Sequence, residues 1–180
     1  MRLFIAIELP DDVKKVLARL RADIRGAHWV PVAQLHLTLS FLGEVDDVAA
    51  KSLTSELAQI QAPGFDLGFA GAGSFPNQRQ PRVLWVGLRP EPLLANLAAL
   101  VRSAVLSCHI PQEERPFAPH ITLARIRQPI KQPITAFIDL CQRHELPSFS
   151  VRGFILFQSR LTPQGAIHTP LSSFSLNSVR

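Results

Sequence analysis

The chain has 180 residues, which is enough for one ordinary domain or two small fused lobes. Hydrophobic residues make up 47% of the chain and charged residues 18%, a balance that excludes a disordered protein and predicts a packed core. The net charge is +5 with Lys and Arg scattered along the chain, which suits a polyanionic partner such as RNA and equally an ordinary basic protein.

The first half of the chain predicts strand, helix, strand, helix and strand in that order. The first strand ends before Pro10, and the helix after it carries apolar residues at helical spacing. Asp46 or Asp47 caps the second helix, which Pro63 closes. In chain order the strands are residues 3–8, 35–42 and the glycine-rich 65–75, and the first helix is 11–25.

The second half repeats this plan with the strands "RVLWVGL", "HITLAR" and "FSVRGFILFQSRL". A helix follows Pro90 and Pro92, a second helix covers about residues 133–145, and a short last strand lies near 167–174. The repeat predicts an α+β (α/β) fold in which two duplicated β-α-β-α-β lobes are related by a pseudo-twofold. The sequence halves meet in the polar loop 76–82, and residues 1–180 are expected to form one bilobal domain.

Two segments, "LHLTLSFLG" and "PHITLARIR", share the pattern His-apolar-Thr-Leu. Because side chains alternate along a strand, the His and Thr of each segment should share one face with Ser40 or Ala124, opposite the leucines. A lone histidine in a strand is more often structural, but only two of the six histidines show this pattern, which favours a functional role. The two pairs are His36 with Thr38, and His120 with Thr122.

Paired imidazoles and hydroxyls suit acid–base chemistry at a phosphodiester. One neutral imidazole accepts a proton while a protonated one donates a proton, and threonine hydroxyls can donate hydrogen bonds to phosphoryl oxygens. A two-histidine metal site is the alternative, but no Asp, Glu or Cys lies at ligand spacing near either motif. A Ser/His/acid triad also lacks an acid partner near the motifs.

The segments "HLTLSFLG" and "RPFAPHITLAR", with the opening "RLFIAIELP", resemble the two-histidine (2H) phosphoesterase superfamily. Within it they are most similar to the RNA 2′,3′-cyclic phosphodiesterases, also called 2′-5′ RNA ligases, and the resemblance runs from residue 2 to the last strand. It implies two lobes whose antiparallel-rich sheets face a central cleft. It also implies hydrolysis of a terminal 2′,3′-cyclic phosphate to a 2′-phosphate without a metal or another cofactor.

The resemblance also implies residue roles. His36 would be the general acid that protonates the leaving O3′, and His120 the general base that activates water. Thr38 and Thr122 would hold the non-bridging phosphate oxygens. The symmetry of the two motifs does not itself decide which histidine is the acid. Arg125 completes the second motif as a substrate-binding residue, although strand parity puts it opposite His120 unless the strand ends or bulges there.

Other candidates have weaker signals. Phe41 and Phe117 flank the motifs and suit either base stacking or the core, and the core is favoured. His168 stands in a region where the family often carries a tyrosine, and this chain has no tyrosine. Three arginines in polar loops suit RNA steering or ordinary solvated charge: Arg79, Arg82 and Arg127.

The expected partner is RNA with a 2′,3′-cyclic phosphate end, such as a tRNA fragment or a cyclic mononucleotide. Two isolated cysteines and the lack of a long apolar stretch predict a soluble, cytoplasmic protein that does not bind membranes. Nothing in the sequence indicates an oligomer, so a monomer is expected. Two alternatives stay open. One is ATP-independent 2′-5′ ligation, the same chemistry reversed by an attacking 5′-hydroxyl, and the other is a non-catalytic RNA-binding module.

Overall fold

The computed structural model describes residues 1–178 as an α+β fold with four α-helices and three antiparallel sheets. The strands are β1 Arg2–Glu8, β2 Ala27–Trp29, β3 His36–Glu44, β4 Phe65–Leu67, β5 Phe69–Phe75, β6 Val83–Leu88, β7 His120–Ile126, β8 Phe149–Val151, β9 Gly153–Thr162 and β10 Gly165–Ser175. The helices are α1 Asp11–Leu17, α2 Asp47–Ala58, α3 Pro92–Ser107 and α4 Thr135–Arg143.

Two four-stranded sheets carry the architecture. Sheet A has the strand order β10-β9-β1-β3, and sheet B has the order β2-β7-β6-β5. A two-stranded sheet, β4-β8, joins the first half of the chain to the second. The two motif strands, β3 and β7, contact each other where the large sheets meet.

The sheets do not follow the halves of the sequence. The third strand of the first half, β5, pairs with β6 in sheet B, and its counterpart β9 pairs with β1 in sheet A. The loop 76–82 therefore connects two neighbouring strands of one sheet, although it separates the repeated halves. Strands β9, β1 and β3 of sheet A correspond in the repeat to β5, β6 and β7 of sheet B. The pseudo-twofold therefore relates two sheets, each of which takes its third repeat strand from the other half of the chain.

A single continuous core supports both sheets. Ile5 and Leu37 of sheet A and Leu84 and Ile121 of sheet B are fully buried members of one hydrophobic cluster. Helices α2 and α3 pack against each other, α3 contacts β3, and α4 contacts β5. Each sheet therefore buries its leucine-rich face and leaves the other face for the His-Thr side chains.

The predicted helix 11–25 is wrong beyond its first turns. Helix α1 ends at Leu17, a 3₁₀ turn follows, and Arg21 is already extended. Ile24 still reaches the core, but from an extended segment that leads into β2, which pairs with β7. Local apolar spacing could not reveal this because the pairing partner lies almost a hundred residues away.

The predicted short last strand near 167–174 is the long β10, which pairs with most of β9. The cap of α2 is confirmed, since the Asp46 side chain accepts a hydrogen bond from the Ala49 N–H at 2.8 Å. Within residues 1–178, no helix is both long and apolar enough to span a bilayer.

The pairing of β5 with β6 and of β9 with β1 across the two halves of the chain can be tested by cutting the loop between the halves. A chain cut once within 76–80 should stay folded, because these loop residues are exposed and both halves remain paired. The separate fragments 1–78 and 79–180 should each lack a cooperative urea transition by circular dichroism, since β5 then loses β6 and β9 loses β1. Mixing the fragments should restore the transition, and a cooperative transition in fragment 1–78 alone would contradict the topology.

Candidate active site

The first residues of β3 and β7 alternate as the motifs predict. Leu37 and Ile121 are fully buried, whereas His36, Thr38, His120 and Thr122 are each half-buried. The imidazole and hydroxyl of each motif therefore share the face that is turned away from the core.

Each motif histidine makes the same hydrogen bond. The Nδ1 of His36 lies 2.6 Å from the carbonyl oxygen of Gln34, and the Nδ1 of His120 lies 2.7 Å from that of Ala118. Because a carbonyl only accepts, Nδ1 carries the proton in both rings. In the neutral state each Nε2 is consequently a free base that can receive a proton.

A β-bulge follows the threonine of β3. Thr38 pairs with Ala6, but Ser40 pairs with Ile5, so Leu39 is the additional residue. Ser40 turns into the protein, where its Oγ donates a hydrogen bond to Gln112 Oε1 at 2.5 Å. The prediction that Ser40 shares the face of the motif histidine is therefore wrong, because the bulge reverses the alternation.

The same bulge exposes Phe41. Its side chain is 63% exposed and lies 6.3 Å from the ring of Phe4 between centroids. The interpretation of Phe41 as a core residue is wrong for this reason. Phe117, which was also assigned to the core, is 37% exposed, so that interpretation is wrong as well.

A matching bulge occurs in β7. Thr122 pairs with Trp85 while Ala124 pairs with Leu84, which makes Leu123 the additional residue. Ala124 is fully buried, so the prediction that it lies on the His-Thr face is wrong. The bulge returns the next residue, Arg125, to the face that carries the motif side chains. Arg125 was expected to face the site only if the strand ended or bulged there, and the bulge is present.

Burial and nearby cations weaken both motif histidines as bases. The pKa of His36 is lowered to about 4, chiefly by burial; the hydrogen bond to the Gln34 carbonyl opposes this shift, and the positive charges of His168, Arg125 and Lys14 add to it. Burial and Arg125 also lower the pKa of His120. In the free protein both rings are therefore mainly neutral at pH 7.

The charge of Arg125 links the two sheets electrostatically. It lowers the pKa of His36 and His168 from sheet A as well as that of His120 from its own strand. Burial also lowers the pKa of Arg125 itself, so this cation is partly removed from water.

His168 belongs to an aromatic cluster on sheet A that is centred on Phe4. Its ring centroid lies 4.9 Å from Phe4 and 5.6 Å, edge-on, from His36. Phe157 stacks on the same Phe4 ring at 5.1 Å. The β9–β10 hairpin is held there because Gln34 Nε2 donates to the Ala166 carbonyl at 2.6 Å. The Nδ1 of His168 is buried without a hydrogen-bond partner among the described residues.

Sheet B supplies its own aromatic surface. The Phe75 ring meets His120 edge-on at 4.9 Å, and the Trp85 ring lies 6.4 Å from the same imidazole. A Cβ on Gly73 would come within 2.7 Å of the Trp85 indole, so this position must stay small. Phe4, Phe75 and Trp85 could not be predicted as site residues, because only the cross-strand register shows that they share the motif face.

The three loop arginines are all exposed at the far end of sheet B. Arg82 Nη1 donates to the Arg127 carbonyl at 2.8 Å, and the Arg79 N–H donates to Asn77 Oδ1 at 3.0 Å. Among residues 1–178, no hydrogen bond or ion pair joins any of the three to the motif side chains. Within the described part of the chain, no three His, Cys, Asp or Glu side chains converge as metal ligands.

The arrangement suits proton transfer around an anionic group. Each sheet contributes an imidazole with a free Nε2 and a neighbouring hydroxyl, and Arg125 adds a positive charge. A donor and an acceptor of protons can therefore act on one bound phosphate while its oxygens are held by hydrogen bonds.

Known proteins are similar to this chain over nearly its whole length. The RNA 2′,3′-cyclic phosphodiesterase of Archaeoglobus fulgidus is 32% identical over 180 residues, covering 97% of this chain and 99% of that protein. The Thermus thermophilus enzyme of the same name is 37% identical, covering 98% and 90%. The structure of LigT from E. coli in complex with 3′-AMP is similar with a TM-score of 0.79 at 33% identity, covering 97% of each chain.

The family described as LigT-like phosphoesterase matches twice, at residues 7–85 and 86–168. Each match contains one His-x-Thr segment, in agreement with the internal repeat. With its two motifs on contacting strands, this chain belongs to the LigT-like phosphoesterases of the two-histidine superfamily.

Proposed function

We propose that this protein hydrolyses RNA 2′,3′-cyclic phosphate ends to 2′-phosphates by acid–base catalysis with two histidines. The observation that carries the proposal is the pair of half-buried imidazoles with identically fixed tautomers. The curated relatives, which are named RNA 2′,3′-cyclic phosphodiesterases, support the same activity.

His120 acts as the general base. Its free Nε2 removes a proton from water, and the water oxygen then forms a bond to phosphorus. His36 acts as the general acid and donates a proton from Nε2 to O3′ as the P–O3′ bond breaks. The products are a 3′-hydroxyl and a 2′-phosphate, and the proton gained by His120 and the one lost by His36 balance over the turnover.

Three further residues hold the phosphate. Thr38 and Thr122 donate hydrogen bonds to its non-bridging oxygens, on which negative charge accumulates in the transition state. Arg125, whose positive charge acts on both imidazoles, stabilises the same negative charge.

Substrate binding supplies the protonation state that the free protein disfavours. His36 must carry a proton to act as an acid, yet its pKa in the free protein is about 4. A bound phosphate places negative charge beside both rings and offsets the charge of Arg125, which raises the pKa of each imidazole. The site therefore becomes competent when its anionic substrate is present.

We also propose a substrate, a domain organisation, an oligomeric state and a cellular compartment for this protein. The partner is an RNA end, a tRNA fragment or a cyclic mononucleotide, and the protein acts as one bilobal domain and as a cytoplasmic monomer. The continuous core beneath both sheets supports a single domain. The free thiols of Cys108 and Cys141 suit a reducing compartment.

Removing either imidazole tests the catalytic pair. His36→Ala and His120→Ala should each lower kcat about 10²–10⁴-fold, the usual contribution of a general acid or base, on an oligonucleotide with a cyclic end in the presence of EDTA. His144→Gln is the matched control, because that ring is hydrogen-bonded to Leu140 in α4. Unchanged rates in the two alanine variants, or loss of wild-type activity with EDTA, would overturn the mechanism.

The pH profiles of kcat/KM and kcat should differ. The first reports the free protein, in which both pKa values lie below the ordinary 6.5, so its bell-shaped maximum should lie on the acidic side of 6.5. The second reports the complex, where the bound phosphate raises both values, so its bell should lie at higher pH. Coincident profiles would show that substrate charge does not control the imidazoles.

Arg125→Met should move the kcat/KM profile upward in pH. Loss of this positive charge raises the pKa of both histidines, so each limb appears at a higher pH. The maximum should also fall roughly tenfold, because one charged hydrogen bond to phosphate is lost. Arg152→Met, an exposed arginine between β8 and β9, serves as the control. A profile that keeps its position in Arg125→Met would contradict the placement of this charge.

A further inference from the structure

Lys14 carries a buried ammonium group beside the turn that precedes His36. Its side chain is only 6% exposed, and its Nζ lies 3.4 Å from Glu8 Oε1 and 3.3 Å from the Ala33 carbonyl oxygen. Lysine is rarely buried in this way, because an ammonium group loses much of its hydration free energy when it leaves water. Glu8 is 58% exposed, so the ion pair alone does not explain the burial of the lysine.

The Lys14 ammonium binds a carbonyl of the 3₁₀ turn Val32–Gln34. Two backbone hydrogen bonds, of 2.8 and 3.2 Å, close this turn. The following carbonyl, that of Ala33, accepts a hydrogen bond from Lys14, and the carbonyl after it, that of Gln34, accepts one from His36 Nδ1. Lys14 therefore holds the peptide group next to the one that fixes the imidazole.

The second motif restrains its histidine in a different way. His120 Nδ1 also hydrogen-bonds to the carbonyl two residues earlier, but Pro119 lies between them, and its ring fixes the backbone φ angle there. Leu35 occupies the matching position of the first motif and has no such ring. Helix α3 follows β6 as α1 follows β1, and its first charged side chain is Arg102, in its second half. The first repeat thus has a buried lysine where the second repeat has a proline.

We propose that Lys14 is a positioning residue for the general acid, because it holds the turn that orients His36. This inference rests on the proposed function. Without the bond from Lys14, the peptide group between Ala33 and Gln34 is free to rotate, and the Gln34 carbonyl no longer keeps Nδ1–H in one orientation. The Nε2 of His36 then faces O3′ for only part of the time, so proton donation slows while the contacts to the phosphate stay intact.

The charge of Lys14 also distinguishes the two histidines. Four titratable or charged side chains on neighbouring elements act on His36 or lie opposite it: Lys14, Glu8, Arg125 and His168. Arg125 lowers the pKa of His120 as well, but Lys14 is among the causes of the lowered pKa only at His36. A lower pKa makes an imidazolium the stronger acid, which suits His36 to protonate the leaving oxygen.

The tautomer of His36 tests the inference without turnover. In long-range ¹H–¹⁵N spectra of the free protein, wild type should show one tautomer, protonated at Nδ1, identified by the signals lost in His36→Ala. Lys14→Met should give a mixture of both tautomers and raise the pKa of His36 above about 4, while the tautomer and the pKa of His120 stay unchanged. Lys14→Arg keeps a charged donor and should keep the single tautomer.

Turnover of an oligonucleotide 2′,3′-cyclic phosphate gives the second measurement. Lys14→Met should lower kcat roughly tenfold and leave KM unchanged, because the acid is misaligned and the phosphate contacts remain. Lys15→Met removes the exposed neighbouring lysine of α1, and this matched control should behave as wild type. Methionine has a similar length and is apolar, so Lys14→Met should retain a cooperative urea transition.

A Lys14→Met variant that keeps a single His36 tautomer, or that changes KM as much as kcat, overturns the inference. Loss of its urea transition would assign Lys14 to folding alone and would overturn the inference too. A tautomer mixture in Lys14→Met, together with a wild type that hydrolyses no cyclic phosphate, would refute the proposed function and leave the orienting role of Lys14 at His36 standing.

Discussion

The hydrogen bond from each histidine Nδ1 to the carbonyl two residues earlier is the constraint on which the site depends. It fixes the tautomer, and it aims Nε2 away from the strand at both His36 and His120. In sheet A the same turn does more, because the Gln34 side chain also holds the β9–β10 hairpin. Lys14 of α1 donates to the Ala33 carbonyl at 3.3 Å, so α1 holds the residue that precedes Gln34.

The pseudo-twofold makes the site symmetric in its hydrogen bonds and asymmetric in its charge. Both motif strands bulge one residue after the threonine, and both bulges return the sixth motif residue to the catalytic face. That residue is Phe41 in sheet A and Arg125 in sheet B. One repeat therefore places an exposed ring on the face of its motif side chains, and the other repeat places a cation there.

The sequence predicted the elements whose signals are local. The motif strands, the Asp46 cap and the alternation of His36 with Leu37 follow from residue pattern alone. The bulges could not be predicted, because a one-residue slip depends on the partner strand. The exchange of β5 and β9 depends on pairing between distant segments. For the same reason Ser40 and Ala124 were assigned to the wrong face, while Arg125 depended on a bulge that only the register reveals.

In the proposed reaction, water attacks a cyclic phosphate while the two imidazoles move protons. Hydrolysis of an oligonucleotide 2′,3′-cyclic phosphate in ¹⁸O-labelled water, followed by ³¹P NMR, tests it most directly. The account predicts a single product, the 2′-phosphate, with one ¹⁸O on phosphorus per turnover and no dependence on added metal. A 3′-phosphate product, or a phosphate without the label, would contradict it.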